Sequence, residues 1–376
     1  MQIQRFLETS IEQRLGSNKV LLLYGTRRVG KTFLIRHLLS EQKEKYLLLN
    51  GEDLDTQRLL SQRTKSAYNR FLKGVKLLII DEAQATPNIG QALKLMIDEF
   101  PQLTIIATGS SAFDLSNKTG EPLTGRSYEY KLYPIAQMEL SEIESPIETV
   151  QHLDERMVLG SYPEIFSLVT HDEKAEYIQQ LVRNYLLKDI LAYENLRSSN
   201  KILDLLQMLA YQCGNEVSVE ELGSKLQLSK NTVDKYLDLL AKVQIIYKLR
   251  GFSRNLRKEI VKNSKIYFLD NGIRNALIND FRSISVRNDV GSLWENYLIA
   301  ERIKRNYYQK KNAEYYFWRT YDNQEIDLIE VTGTKISAYE FKWNKTNVKA
   351  PKAFREAYPK AKFEVITQQN YLDFIL

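Results

Sequence analysis

A glycine-rich turn between an apolar run and a helical segment constrains this chain most. The run Val20–Tyr24 leads directly into the pattern G-x-x-x-x-G-K-T at residues 25–32, and residues 32–39 read as a helix. Gly25 and Gly30 permit close approaches that a Cβ would obstruct, so successive N–H groups can point at phosphate oxygens. Strand, loop and helix therefore stand in the order that a phosphate-binding loop requires.

The pattern predicts a site for a nucleoside triphosphate, ATP in the first place, together with Mg²⁺. Lys31 would place its charge on the β- and γ-phosphates, and Thr32 its hydroxyl on the metal ion. A chance glycine turn before a helix is the alternative. The loop residues assigned to the nucleotide are Gly25, Thr26, Arg27, Arg28, Val29, Gly30, Lys31 and Thr32.

Two carboxylates follow a second apolar run, residues 77–80. At the end of a buried strand, Asp81 would hold the Mg²⁺ through water, and Glu82 would polarise the attacking water as a general base. Plain solvation of charged groups at a strand end is the alternative. The two acids extend the prediction from nucleotide binding to ATP hydrolysis.

A third apolar run, residues 103–107, ends in Thr-Gly-Ser-Ser at residues 108–111. The hydroxyl of Thr108, and next that of Ser110, would sense the γ-phosphate or position water. Small polar residues are also ordinary turn formers, and that reading stays open.

These elements resemble the AAA+ and related P-loop ATPases. In those proteins an extra strand lies between the two strands of the phosphate site, and the spacing allows Tyr46–Asn50 to supply one. More specifically, the chain is similar to a prokaryotic family of uncharacterised ATPases in which an AAA-type domain precedes a helical region, a winged helix and a nuclease-like domain. The motifs behind this resemblance are residues 25–32, 80–84, 108–111, 123–126 and 132–135.

The same resemblance implies a role for Arg126. A Gly-Arg pair recurs in that family before a strand and a Leu-x-Pro turn, as at Gly125 and Arg126 here. Arg126 would contact the γ-phosphate in cis or from a neighbouring subunit of a homo-oligomer. A surface salt bridge is the alternative for this side chain.

Five apolar runs separated by amphipathic segments predict a parallel α/β sheet in the first part of the chain. Changes in periodicity then suggest four domains. The predicted domains are an AAA-type ATP-binding domain at 1–145, a helical lid or linker at 146–212, a winged helix at 213–287 and a mixed α/β, restriction-endonuclease-like domain at 288–376.

Composition narrows the class of protein. Hydrophobic residues make up 43% and charged residues 27%, and no run reaches the length of a membrane span. The N-terminus lacks a secretion pattern, and Cys213 is the single cysteine, so cytoplasmic location is expected. The formal charge of +6 is concentrated, since residues 242–274 carry nine basic and two acidic side chains.

A helix-turn-helix pattern precedes this basic stretch. Residues 218–237 read as a short helix, a turn and a second helix capped by Ser229, which would expose Lys230, Asn231 and Lys235. Together with a basic wing, residues 218–274 would contact DNA phosphates. A packing module is the open alternative, and Asp234 and Asp238 weaken the DNA interpretation.

Acidic residues recur near the C-terminus. Glu295 lies on a predicted helix, Asp327 on a strand, and Glu340 and Lys342 two apart on another strand, which directs both to one face. This set resembles the PD-(D/E)XK nuclease fold. The resemblance implies that Asp327 and Glu340 bind a metal ion, with Glu295 as an accessory acid and Lys342 positioning water or phosphate.

The sequence thus predicts an ATPase whose nucleotide state controls a DNA-binding or nuclease-like C-terminal half. The rival hypothesis is a regulatory switch, in which ATP stabilises one conformation and the C-terminal domains recruit a protein partner without cleaving nucleic acid.

Overall fold

The computed structural model describes residues 3–40, 42–110, 123–186, 199–252, 264–320, 324–344 and 348–376. The chain forms two compact units. The N-terminal unit comprises Gln2–Tyr133 with Lys242–Gln244, and the C-terminal unit comprises Pro134–Ala241 and Ile245–Leu376 with Met1.

The first boundary falls at residue 133 rather than at the predicted 145. Residues just beyond Tyr133 bond within the C-terminal unit, where Ile135 N donates to Ser161 O at 2.8 Å and Gln137 N donates to Glu301 Oε2 at 2.6 Å. The finer division at 212 and 287 stays a prediction.

The N-terminal unit alternates strands and helices. Its strands are β1 (Val20–Tyr24), β2 (Tyr46–Asn50), β3 (Leu77–Asp81), β4 (Thr104–Gly109) and β5 (Ser127–Lys131). Its helices are α1 (Leu7–Glu12), α2 (Lys31–Ser40), α3 (Leu54–Ser61), α4 (Lys65–Phe71) and α5 (Ile89–Glu99).

These strands form one parallel sheet in the order β2-β3-β4-β1-β5. β4 therefore lies between β1 and β3. The expectation that Tyr46–Asn50 would be the intervening strand is wrong, because that segment is β2 at the edge of the sheet. Since all five strands run the same way, β1, β3 and β4 end at one common edge of the sheet.

Burial explains why β1, β3 and β4 form the centre of this sheet. Every residue of β1 and β4 is buried, as are the first four of β3, whereas β2 alternates between exposed and half-buried residues. Strands covered on both faces need continuous apolar runs, and the sequence provides them there. Helix α5 completes the core through residues such as Leu93 and Met96.

The C-terminal unit contains helices and a sheet that is larger than the sheet of the N-terminal unit. Its helices are α6 (Gln137–Leu140), α7 (Pro146–Gln151), α8 (Leu153–Leu159), α9 (His171–Leu181), α10 (Ser199–Tyr211), α11 (Val219–Leu226), α12 (Lys230–Lys242), α13 (Asn271–Leu277), α14 (Val290–Tyr308), α15 (Lys352–Ala357) and α16 (Tyr371–Ile375). Its strands are β6 (Glu216–Val217), β7 (Ile246–Gly251), β8 (Ser264–Phe268), β9 (Glu314–Arg319), β10 (Glu325–Thr332), β11 (Lys335–Phe341) and β12 (Lys362–Ile366).

One mixed sheet joins all seven strands in the order β12-β11-β10-β9-β7-β8-β6. The link is the parallel pairing of β7 with β9, with Arg250 opposite Tyr316 and Gly251 opposite Phe317. Strands assigned in sequence to a winged helix and to a nuclease-like domain thus belong to one sheet. In this sheet β7 and β9 lie between β8 and β10.

Helix α14 packs against this sheet and is buried on most of its surface. Trp294 is completely buried and contacts the rings of Tyr297, Trp343 and Tyr371. Across the described part of the chain, no helix has both the length and the apolar character needed to cross a membrane.

Candidate functional site

The loop between β1 and α2 has the close packing that its glycines predict. A Cβ on Gly25 would lie 2.5 Å from Leu132 O and 2.8 Å from Val29 Cγ2. Gly30 has a φ of 97° and Arg28 a φ of 66°, both in the left-handed region. The backbone is therefore bent tightly at the N-terminus of α2, as an anion-binding loop requires.

Lys31 is buried, and its ammonium group lies inside the loop. Its Nζ donates to Gly25 O at 2.8 Å and to Thr26 O at 3.3 Å. Two backbone carbonyls thus hold the lysine, and a phosphate can replace them as acceptors.

Arg5 anchors the loop from a distant part of the sequence. Its guanidinium is buried and donates to Val29 O at 2.7 Å and to Tyr133 O at 2.6 Å. No local pattern in the sequence marks this residue, because an arginine before a short helix has no distinctive spacing. Only the folded chain brings residue 5 beside residues 29 and 133.

Asp81 is bonded to hydroxyl groups from two other elements. It accepts a hydrogen bond from Thr32 Oγ1 at 2.9 Å through Oδ2 and another from Thr108 Oγ1 through Oδ1. β4 makes this possible, because Thr108 lies on it opposite Leu23 of β1. Three residues from the three predicted motifs therefore meet at the end of the sheet, in the place where a Mg²⁺ would bind.

Glu82 occupies a strained turn at the same edge. Its backbone is left-handed, with φ 49° and ψ 43°, a conformation that L-residues with side chains seldom adopt. Its amide donates to Thr108 Oγ1 at 3.1 Å. A Cβ on Gly51 would lie 2.4 Å from Glu82 O, so only a glycine fits there.

The carboxylate of Glu82 is held by a residue that the sequence analysis did not assign. Gln84 is buried, and its Nε2 donates to Glu82 Oε2 at 2.5 Å. A signal was present in the sequence, since an amide two residues after the proposed base is suited to orient it. Serine 110 lies just beyond β4, and Ser111 falls outside the described residues.

Arg126 lies at the end of the sheet where β1 begins, and the loop lies at the end where β1 stops. Its carbonyl accepts from Val20 N, at the start of β1, whereas the loop follows the end of β1. A five-residue strand spans roughly 13 Å, and Arg126 Nε is bonded to Asp98 Oδ1 at 3.1 Å. Contact with a γ-phosphate in cis is therefore incompatible with this geometry, and a role in a neighbouring subunit stays a prediction.

The helix-turn-helix pattern forms α11 and α12, and Thr232 N donates to Ser229 Oγ at 3.2 Å as expected for a cap. Lys230, Asn231 and Lys235 are exposed. Lys230, however, is paired with Glu220. A winged helix and DNA contact by this surface stay predictions.

The basic stretch is less exposed than its composition suggests. Lys265 and Arg274 are buried in ion pairs, with Glu325 and Asp289 respectively, and Lys248 pairs with Asp238 at 2.8 Å. Lys248, Lys265 and Arg274, which the prediction placed in the basic wing, are therefore paired with acids of the chain. Four further members, Arg254, Arg257, Lys258 and Lys262, lie outside the described residues.

The C-terminal acids meet in a second polar region, which we call the acidic cluster. It consists of Glu295, Glu325, Asp327 and Glu340 with Lys265 and Lys342. Phe341 N donates to Asp327 Oδ2 at 2.8 Å, and Lys342 Nζ lies 2.7 Å from Glu340 Oε1. Glu295 accepts from Tyr267 OH, and its Oε1 lies 3.5 Å from Lys265 Nζ.

Burial and mutual repulsion change the ionisation of these acids. Burial, followed by the charge of Asp327, raises the pKa of Glu295 to about 8. Burial also raises the pKa of Asp327 above its usual range, and burial and the charge of Asp327 do so for Glu340. A proton on Glu295, as well as the two lysines, therefore offsets negative charge in the cluster near neutral pH.

The cluster departs from the metal site predicted for Glu295, Asp327 and Glu340. Within the described ranges, no group of three or more His, Cys, Asp or Glu side chains is arranged to hold a metal ion. The physical reason lies in the partners given above: each of the three acids already bonds to an N–H, an O–H or an ammonium group. These residues come together, but around cations that belong to the chain.

Comparison with known proteins bears on the N-terminal unit first. Residues 17–141 match the model of the AAA domain. A Walker-type ATPase of Pyrococcus abyssi superposes with a TM-score of 0.51 at 18% identity, covering 74% of this chain and 96% of that protein. The N-terminal unit has a P-loop AAA-type fold.

The rest of the chain matches models without an assigned role. Residues 150–283 match a domain of unknown function, DUF8612, and residues 290–374 match another, DUF4143. An uncharacterized protein of Methanocaldococcus jannaschii is 24% identical over 349 residues, which cover 86% of this chain and 75% of that one. An uncharacterized protein of Mycobacterium tuberculosis is 25% identical over 329 residues, 86% of this chain and 70% of that one.

Proposed function

We propose that the protein binds ATP with Mg²⁺ and hydrolyses it at the edge of the AAA-type sheet. One observation carries the proposal: Asp81 accepts hydrogen bonds from Thr32 and from Thr108, so the loop and two strand ends form one site. Mg²⁺ prefers a few oxygen ligands and keeps its remaining waters, which suits the Thr32 hydroxyl and the Asp81 carboxylate.

The remaining residues act on the phosphates and on water. Lys31 would exchange its carbonyl acceptors for the β- and γ-phosphates, while the backbone of residues 25–30 donates to the same groups. Glu82 would take the proton from the attacking water, and Thr108 would hold Glu82 and Asp81 in register. Gln84 orients the Glu82 carboxylate through the bond described above.

Nucleotide binding by a Lys31→Ala variant tests this proposal. We expect affinity for an ATP analogue to fall at least about 100-fold, because a buried charge on two phosphates is lost. Lys94→Ala, an exposed lysine on α5, is the matched control and should bind as the wild type does. Equal binding by the Lys31→Ala variant and the wild type would refute the site.

We further propose that Arg126 acts from a neighbouring subunit of a homo-oligomer. Its position opposite the loop supports this, since it is half-exposed there beside Asp98. Each of the two variants, Lys31→Ala and Arg126→Ala, should lack ATP turnover when it is assayed alone. A mixture should regain activity, because some interfaces then combine an intact loop with an intact arginine. No recovery on mixing, or full activity of Arg126→Ala, excludes the role.

We also propose that the nucleotide state controls DNA binding by the C-terminal unit. Exposed Lys235 and Asn231 on α12, with Arg250 at the end of β7, support this part of the proposal. Phosphate contacts of this kind give affinity that falls steeply with salt. The sequence contains three further basic residues, Arg254, Arg257 and Lys258, which lie outside the described residues.

Replacing Arg254, Arg257 and Lys258 by Gln tests the DNA proposal. Affinity for duplex DNA at low salt should fall about tenfold or more, and the salt dependence should weaken with it. The exposed lysines Lys310, Lys311 and Lys335, replaced in the same way, provide the control. If neither set affects binding, or no binding occurs, the regulatory switch with a protein partner becomes the better hypothesis.

A further inference from the structure

We propose that Lys265 is an internal counter-ion of the acidic cluster, occupying the place that a divalent metal ion would otherwise take. On this proposal the C-terminal unit has no Mg²⁺ or Mn²⁺ site at Glu295 and Asp327, although its acids are those of a metal-dependent nuclease. The chain supplies the cation itself, from strand β8.

The ammonium group of Lys265 lies within the cluster and away from water. Its side chain is 4% exposed, it pairs with Glu325, and its Nζ lies 3.5 Å from Glu295 Oε1. The Phe317 ring, 5.6 Å from Nζ, covers another side. A lysine in this setting cannot turn outwards, so its charge is fixed among the carboxylates.

The lysine is charged in this position. Burial lowers the pKa of a lysine, but the carboxylates of Glu295, Asp327 and Glu325 outweigh that effect and raise the pKa of Lys265 above its usual range. The charge of Lys265 among these acids disfavours a second cation in the same position. It also lets each acid keep a bond that it would have to give up to a metal.

The other hydrogen-bond and ion-pair partners of these acids also belong to the chain. Tyr267 donates to Glu295, Phe341 N donates to Asp327, and Lys342 pairs with Glu340. These bonds hold the acids in place beside Lys265, so the cation of the cluster is one that the chain itself supplies.

Removing the lysine should therefore create a metal site. Lys265→Ala leaves a cavity beside acids whose charge is no longer balanced, and breaking one partner of a buried pair is destabilising. A divalent cation that enters this cavity would restore the balance. Metal should then stabilise the variant although it does not stabilise the wild type.

The experiment measures Mn²⁺ binding to the full chain without nucleotide, by electron paramagnetic resonance and by thermal unfolding. Asp81→Asn is present in every protein, so that the phosphate loop contributes no metal. We expect Lys265→Ala to bind Mn²⁺ at least about tenfold more tightly than the parent and to unfold at a higher temperature when Mn²⁺ is added. Adding Asp327→Asn should abolish both gains.

Lys265→Arg is the control that keeps the charge, and it should resemble the parent. If Lys265→Ala does not fold, Lys265→Met, which fills the space without charge, takes its place. The proposal fails if either neutral variant folds without gaining Mn²⁺ binding. It fails equally if the parent binds Mn²⁺ in a way that Asp327→Asn abolishes, and this last measurement decides the matter even if no neutral variant folds.

Discussion

The phosphate loop and the acidic cluster contain the same kinds of side chain in opposite arrangements. In the loop, Lys31 bonds to carbonyl oxygens, and Asp81 accepts from two hydroxyls. In the cluster, Lys265 and Lys342 bond directly to carboxylates. Lys31 and Asp81 do not form an ion pair with each other. Lys265 and Lys342, by contrast, form ion pairs with the acids of the cluster.

This difference decides which region can take a charged ligand. A phosphate that enters the loop can replace the two carbonyl acceptors of Lys31 and form charge-assisted hydrogen bonds with its ammonium group. A metal ion that enters the cluster must displace an ammonium group that is already desolvated and paired, and that exchange is unfavourable. Residue type alone therefore does not distinguish a ligand site from a closed ionic cluster.

The largest expected effect separates the two regions by catalysis. Glu82→Gln should keep ATP binding but lower kcat by about 100-fold or more, because the general base is lost. Glu340→Gln, the equivalent change in the acidic cluster, should leave kcat unchanged. A steady-state ATPase assay measures both, and a similar loss in the two variants would contradict the comparison.

A smaller loss is expected from Thr108→Val, which keeps the shape of the side chain and removes its hydroxyl. Asp81 and the Glu82 amide then lose a shared partner, and kcat should fall about tenfold with little change in KM. Thr104→Val, on the same strand but at its other end, is the matched control. Unaltered turnover in Thr108→Val would remove this residue from the site.

The hydrogen bond between Gln84 and Glu82 allows a further test of the proposed ATPase site. Gln84→Ala should lower kcat by about three- to tenfold, since the base keeps its chemistry but loses its orientation. Gln84→Glu should lower it further by repulsion and should show a shifted pH profile of kcat. If Gln84→Ala changes only thermal stability, the residue has a structural role and does not position Glu82.

In the acidic cluster, stability rather than turnover should respond to a lost partner. Lys342→Met leaves Glu340 without its ion pair and should lower the free energy of unfolding by about 1–2 kcal/mol, the lysine being one-third exposed. Lys335→Met, at the exposed start of the same strand, should cost less than about 0.5 kcal/mol. Urea unfolding compares the two, and equal effects would argue against a closed cluster.

The last expected effect is a dependence of stability on pH. Glu295 keeps its proton to about pH 8 in the folded chain and loses it near 4.5 in the unfolded chain. Because the folded state binds more protons in between, stability should fall as pH rises from about 5 to 8, by at most about 1.4 kcal/mol per pH unit. The charged or titratable groups that interact with Glu295 are Lys265, Tyr267, Glu325, Asp327, Lys342 and Cys213.

Glu295→Gln removes this titration, so its stability should change less over the same pH range. Glu142→Gln, at an exposed position, should retain the slope of the wild type. Urea unfolding at several pH values provides the measurement, and an unchanged slope in Glu295→Gln would mean that other groups carry the pH dependence.

The sequence by itself determined the phosphate loop, the parallel sheet that bears it and the acids at the ends of its strands. The reason is that these features depend on local patterns: glycines at fixed spacing, continuous apolar runs and polar residues where those runs stop. Residues as far apart as Thr32, Asp81 and Thr108 meet because parallel strands end at one edge.

The tertiary structure alone decided the order of the strands and the partner of each charge. Tyr46–Asn50 became an edge strand, Arg126 lay at the far end of β1, and Arg5 reached the loop from residue 5. In the sequence, Lys265 is part of a basic stretch. In the folded chain, where β8 and β10 belong to one sheet, it pairs with Glu325 among the acids of the cluster. The partner of a charged side chain depends on the distances between segments that are far apart in the sequence. The composition of the chain does not specify those distances.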